Sequence, residues 1–202
     1  SGDLVFVLKN VIVVAPGNGD GPQTDYWTYP CDTSIITTAM NLAKNNYNID
    51  SKYIYLNGIS LGGRAALRYG LINYSRFRGI ELWCPAVQSI PEANNQTSFN
   101  YPYTNGKYIP ISISIGSEDG YIQNGQLDAT MNQLTTLGAP ANLTIEIGLP
   151  HGAPSSGNII KNYKSHLKDG KLLDKICSSV GFVKDNRQRE QIGKWPLFRF
   201  LA

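Results

Sequence analysis

Tyr53-Ile54-Tyr55-Leu56-Asn57-Gly58-Ile59-Ser60-Leu61-Gly62-Gly63-Arg64-Ala65-Ala66-Leu67 reads as a β-strand that runs into an α-helix through a Gly-x-Ser-x-Gly turn. A turn this tight forces the serine backbone out of its ordinary conformations and brings neighbouring chain close. Gly58 and Gly62 therefore stand where a Cβ would clash. Ser60 is pushed outward at the N-terminus of the helix, where the amides of Leu61 and Gly62 point toward any negative charge that forms beside it. The same five-residue pattern occurs in ordinary turns of Gly- and Ser-containing loops; the strand before it and the helix after it set this one apart.

Working outward, short apolar and β-branched runs recur at Val11–Ala15, Tyr53–Leu56, Gly79–Trp83, Ile109–Ile115 and Leu143–Ile147, separated mostly by segments of helical periodicity. Ile35, Ile36, Ala39, Met40, Leu42 and Ala43 repeat at helical spacing, with Asp32, Thr33 and Ser34 each able to cap the first turn. Leu127, Met131 and Leu134 do the same before Gly138-Ala139-Pro140 ends that helix. The strands are continuous rather than alternating in hydrophobicity, so both sheet faces are covered by helices. The expectation is a three-layer α/β fold with a mostly parallel sheet flanked by helices, and chemistry in the loops beyond the carboxyl ends of the strands.

A serine hydroxyl is a weak nucleophile at neutral pH and needs a base, and the chain has two histidines, His151 and His166. His151 follows the run Leu143–Ile147 in the loop Gly148-Leu149-Pro150-His151-Gly152, whereas His166 lies among Lys164, Lys168 and other polar positions of an expected surface helix. The run ending at Ile115 leads into Gly116-Ser117-Glu118-Asp119-Gly120, where Asp119 is the expected orienter of His151 and Glu118 the fallback. Taken alone, that acidic pair reads as a helix cap. The chain order Ser60, Asp119, His151, each after a strand, favours the catalytic reading, with Leu61 N–H as first oxyanion donor.

At these residues the sequence resembles the α/β-hydrolase family, and within it the secreted serine esterases related to feruloyl esterases, polyhydroxybutyrate depolymerases and peptidase-like esterases. The likeness is clearest in Ile49–Gly63 and extends through Gly116–Asp119 and Leu149–Gly152. It implies a nucleophile elbow at Ser60, a catalytic triad of Ser60, Asp119 and His151, and hydrolysis of a carboxylic ester through an acyl-enzyme. The substrate is then a small-molecule or polymer-linked ester, with no cofactor and no metal, and a secreted or extracellular location is favoured. The family's earlier strand, whose loop supplies the second oxyanion donor, has no clear counterpart. The upstream Gly-rich loop is Pro16-Gly17-Asn18-Gly19-Asp20-Gly21, so Gly17 is the candidate for that donor. Val11–Ala15 looks like the strand just before the elbow strand, as in a fold reduced at its N-terminus.

Two other readings compete with the esterase. One is a non-catalytic or truncated hydrolase scaffold that serves as a binding module; the other is a serine peptidase or thioesterase, which would share the triad. A phosphate-binding reading of the Gly-rich loop fails for want of a Lys-Ser/Thr pair, and Pro22 interrupts any immediate helix. Tyr26 and Trp27, with Tyr29, precede the first helix and are candidates to border a substrate pocket or to pack on the domain surface.

Composition sets the outer bounds. At 202 residues, 42% hydrophobic and 16% charged, the chain has the core of one globular domain and none of the bias of a disordered tail protein. Lys9 and Asn10 interrupt the most apolar region, Leu4 to Ala15, well short of the ~20 residues of a membrane span. Residues 1–160 carry 8 Lys and Arg against 11 Asp and Glu, residues 161–202 carry 10 against 4. The division expected is a hydrolase-like domain over 1–168 and a basic tail or helix over 169–202. Acidic residues interleave that tail, which argues for a solvated face rather than nucleic-acid binding. Lys194–Phe200 reads as a terminal apolar anchor. Cys31, Cys84 and Cys177 form no CxxC pair, and none stands near a His at metal-ligand spacing in the sequence.

Overall fold

The computed structural model describes residues 4–8, 11–16, 31–87, 101–120, 125–152 and 197–201. Their elements are β1 (Leu4–Leu8), β2 (Val11–Ala15), α1 (Cys31–Asn46), β3 (Ile54–Ile59), α2 (Leu61–Ile72), β4 (Gly79–Trp83), β5 (Ile111–Gly116), α3 (Gln126–Thr136), β6 (Ala141–Glu146) and β7 (Leu197–Leu201). One seven-stranded sheet runs in the order β1-β2-β7-β3-β4-β5-β6. The expected parallel block is β3-β4-β5-β6. Every residue of β3, β4 and β5 is buried, as continuous hydrophobicity requires of strands covered on both faces.

Register decides what each face carries. Leu56, Ile80 and Ile111 align across the block, as do Gly58, Leu82, Ile113 and Leu143, and this apolar face meets α2. Leu56, Leu67, Leu71, Ile80, Ile111 and Ile113 are each fully buried there, and burial of one such side chain contributes about 1.5–3 kcal/mol. On the opposite face Asn57, Glu81, Ser112 and Asn142 form a polar row, with Ile59, Trp83, Ser114 and Thr144 beside it. Trp83 Nε1 donates to Glu81 Oε1 at 3.0 Å and Asn57 Nδ2 to the Glu81 carbonyl at 3.1 Å, which partners buried polar groups that would otherwise be costly.

The helices follow their apolar spacing. In α1, Ile36, Ala39, Met40 and Ala43 are the buried stripe. Its start corrects the expected cap: the helix runs from Cys31, so Asp32, Thr33 and Ser34 lie inside its first turn rather than before it. α3 ends as expected. Ala139 N–H donates to Leu134 O and Gly138 N–H to Thr135 O, with Gly138 at φ 77°, which is a Schellman closure around a left-handed glycine. β3 begins one residue later than the apolar run suggests, because Ser51–Tyr53 is a 3-10 turn capped by Asp50, whose Oδ1 accepts from Lys52 N–H.

Two strands escaped the reading of the sequence. β1 pairs antiparallel with β2 in a register that sets Leu8 opposite Val11 and Leu4 opposite Ala15. β7 lies antiparallel to both β2 and β3 and fills the place between them. Val11–Ala15 is thus parallel to the strand before Ser60 but separated from it by β7. Among the described residues no helix is long and apolar enough to cross a membrane.

Candidate active site

Ser60 stands between β3 and α2 with φ 53° and ψ −120°, a strained conformation for a residue with a side chain. Its backbone is held from both ends. The N–H donates to Trp83 O at 3.0 Å, and the carbonyl accepts from Gly63, Arg64 and Ala86 N–H. Arg64, fully buried, donates from Nε to Ala86 O at 2.9 Å and ties the start of α2 to the same segment. A Cβ at Gly58 would collide with the Gly62 carbonyl and come within 2.7 Å of Ala66 Cβ, so the approach of helix to strand requires glycine. The Ser60 hydroxyl makes no cap hydrogen bond to its helix. It is free to face the loop after β6, while Leu61 and Gly62 present helix-terminal amides that have no intrahelical acceptor.

The loops after β5 and β6 are laced together. Ser117 N–H donates to Glu146 O, Glu118 N–H to Leu149 O, and Gly148 N–H to Ser117 Oγ at 2.9 Å. A Cβ at Gly116 would overlap the Leu149 carbonyl. This lacing sets His151 against Asp119: Nδ1 lies 2.7 Å from Asp119 Oδ2 and Nε2 lies 3.0 Å from Ser60 Oγ. A carboxylate only accepts, so the proton is on Nδ1, and the Nε2 lone pair faces the serine hydroxyl. Asp119 is 1% exposed and His151 44% exposed, so the inner end of this chain is shielded and the outer end meets solvent.

The fold therefore brings together Ser60, His151 and Asp119 from three loops at one edge of the sheet. Glu118 is exposed and points its backbone, not its carboxylate, into the lacing. Gly17, Tyr26, Trp27, Tyr29 and His166 lie outside the described residues. Sequence reasoning missed Cys84. It directly follows β4 with φ 38°, is fully buried, and holds Sγ 3.9 Å from His151 Nε2. No sequence spacing relates Cys84 to His151, 67 residues away; the available signal was its place just after a strand whose neighbours carry Ser60 and Asp119. Burial pushes the Cys84 thiol up to about 12, helped by the negative charge of Asp119 and opposed by backbone bonds from Gly152 and Ser60. Gly116 and Ser117 had no role of their own in the sequence reading, although their partners fix the lacing.

An imidazole gripped at one nitrogen and poised at the other over a hydroxyl is able to take that proton as the hydroxyl attacks an electrophile. The adjacent helix terminus is placed to stabilise the resulting oxyanion.

No family profile and no curated protein sequence matches the chain. Solved structures do. TT1662 from Thermus thermophilus aligns over 77% of this chain and 76% of its own with a TM-score of 0.57 and 17% identity. A phospholipase/carboxylesterase from Dyadobacter fermentans aligns over 73% and 70% with a TM-score of 0.50 and 20% identity. An uncharacterized protein from Bacillus cereus aligns over 73% of this chain with a TM-score of 0.54 and 15% identity. The chain spans about half the length of several of its matches, 53%, 50% and 56% of three of them. At these identities the likeness is one of fold, and the fold is α/β-hydrolase-like.

Proposed function

We propose that the protein is a serine hydrolase that cleaves carboxylic esters through an acyl-enzyme. The observation that carries this reading is the bridging of Ser60 Oγ and Asp119 Oδ2 by the two nitrogens of His151, at 3.0 and 2.7 Å. Ser60 Oγ attacks the ester carbonyl while His151 Nε2 accepts its proton, and Asp119 keeps the ring in the right tautomer and stabilises the imidazolium. The oxyanion forms against Leu61 N–H at the start of α2. Collapse expels the alcohol, which takes its proton from His151; water then repeats the sequence and releases the acid.

Gly17 is proposed as the second oxyanion donor, and Tyr26 and Trp27 as pocket wall. β2 and β3 each pair antiparallel with β7, so their carboxyl ends share one edge of the sheet, two strand spacings or about 10 Å apart. The chain thus leaves β2, at Pro16, at the edge of the sheet where Ser60 stands.

That intervening β7 also favours a second reading. The place beside the elbow strand is taken by a strand that runs the other way, with its amino end at the edge where Ser60 stands and its carboxyl end at the far edge, so it does not supply the post-strand loop that a parallel neighbour would place beside Ser60. A site left with one donor forfeits ~3 kcal/mol of transition-state stabilisation, about two orders of magnitude in rate, and the scaffold would then serve binding. The deciding experiment is labelling of the folded protein by a fluorophosphonate beside a Ser60→Ala control, followed by nitrophenyl esters of graded acyl length. Rapid labelling that depends on Ser60, with ester turnover lost in His151→Ala, supports the hydrolase. Equal labelling of both proteins sinks it.

A further inference from the structure

His151 Nε2 has a second neighbour that ester hydrolysis does not use. Cys84 Sγ, Ser60 Oγ and the imidazole converge there, and the ligand atoms of Cys84, Asp119 and His151 all lie within 4.8 Å of one another. We propose that Cys84 Sγ and His151 Nε2 form a binding site for a thiophilic divalent cation, Zn2+ or Cd2+, and that occupancy blocks Ser60.

Geometry and donor chemistry argue for it together. Bond lengths of about 2.3 Å to sulfur and 2.0 Å to nitrogen at a tetrahedral angle place the two donors about 3.5 Å apart. The observed 3.9 Å closes to that with a small rotation of either side chain. Asp119 grips the opposite ring nitrogen, the outer carboxylate that commonly orients a metal-bound histidine and makes it a better ligand. A soft thiol beside an imidazole selects zinc-like ions over magnesium or calcium. Cys84 is itself fully buried, so the ion enters from the exposed side of His151. On binding, the S–H bond breaks, the S–metal bond forms, and the proton leaves to buffer.

Exclusivity follows from the single lone pair on Nε2. It either accepts the Ser60 hydroxyl proton or coordinates the cation, so a loaded site holds the serine inactive. With two strong protein donors and the remaining positions left to Ser60 Oγ or water, the ion is exchangeable, unlike one in a four-ligand structural site. Blockade of Ser60 rests on the hydrolase reading; binding of the ion does not.

The test is titration of the full chain with Cd2+, read by the ultraviolet thiolate-to-cadmium absorption, on the unsubstituted protein and on Ser60→Ala. Both are expected to show the band at one ion per chain, reversed by a chelator. Cys84→Ala and the near-isosteric Cys84→Ser are expected to lose it, and Asp119→Asn to weaken binding by about 10–100-fold. In the unsubstituted protein Cd2+ should abolish fluorophosphonate labelling of Ser60, and in the Cys84 variants it should not. No band, or a band that persists in both Cys84 variants because the ion sits on another thiol, overturns the site. A chain with the Cys84-dependent band but no labelling at any cation level keeps the site and loses the hydrolase reading.

Discussion

Ser60 and His151 stand 91 positions apart in the chain and 3.0 Å apart in the fold, Oγ to Nε2. Neither holds the other there. Ser60 is fixed by the strained turn between β3 and α2, and His151 by the lacing of its loop to the loop that carries Asp119. The pair is thus preorganised by two independent pieces of backbone, and each can be perturbed separately.

Perturbing the histidine through its partner is the sharper case. Asp119→Asn keeps the volume but offers Nδ1 an amide whose N–H can hold the ring in the wrong tautomer. We expect kcat for a short-chain ester to fall by about 10^4-fold with little change in KM, since the substrate touches neither atom. Circular dichroism should be unchanged. A loss of tenfold or less would mean that the 2.7 Å contact positions nothing of consequence.

How much of this was legible without coordinates depends on how local each signal is. Ser60 was readable because strand, glycines and helix all lie within fifteen residues, and the steric demand at Gly58 is met by Gly62 and Ala66, near neighbours in sequence. Asp119 and His151 could be nominated because each follows an apolar run at the edge where parallel strands end. β7 could not. Its five residues carry no turn signal, and its partners are some 140 and 185 positions away. Cys84 was invisible for the same reason, since only the order of β3, β4 and β5 in the sheet sets it beneath His151. The Asp32-Thr33-Ser34 run misled because cap-forming residues are also tolerated in a first helical turn.

Gly116 is where the lacing has no slack. An added methyl would overlap the Leu149 carbonyl, and backbone on both sides leaves little room to relax. Gly116→Ala should destabilise the protein by about 1–3 kcal/mol, measured by urea unfolding, and move the His151 loop away from Asp119. Ser117→Ala, which removes one hydrogen bond to Gly148 N–H, should cost about 1 kcal/mol. If Gly116→Ala lost stability yet kept full ester turnover, the two loops would not be coupled to the site in the way the contacts indicate.

Alkaline pH should loosen the fold in two stages. Cys84 is raised from 9.0 to about 12 and Tyr55 from 10.0 to about 12, in each case chiefly by burial. A raised folded value means that the native state keeps its proton where the unfolded chain has lost it. This stability is fully present below the unfolded values and drains away as pH rises from about 9 toward 12. The urea midpoint should therefore decline across that window. Cys84→Ala should flatten the first part of the decline and Tyr55→Phe the part that begins near 10. A flat profile from 8 to 11 in the unsubstituted protein would show that these groups are more hydrated than their surroundings imply.

The C-terminal strand makes the most demanding prediction, because the elbow strand depends on it for its outer edge. Phe198 is registered against Val14 on one side and Leu56 on the other, so a proline there removes a ladder donor from the interior of the sheet. Phe198→Pro, and deletion of residues 197–202, should each lower the unfolding free energy measured in urea well beyond the roughly ±0.5 kcal/mol of an ordinary surface change, for which Ile147→Lys, at a position 86% exposed, is the control. Opening the seam also leaves the facing edges of β2 and β3 unpaired. Self-association, followed by light scattering, should rise with the loss of stability, and fluorophosphonate labelling of Ser60 should fall with it. The order of effects matters. If labelling fell while the midpoint held, β7 would act on the site rather than on the sheet. If both held, β2 and β3 would have to meet without β7, and β2 would then stand directly beside the elbow strand.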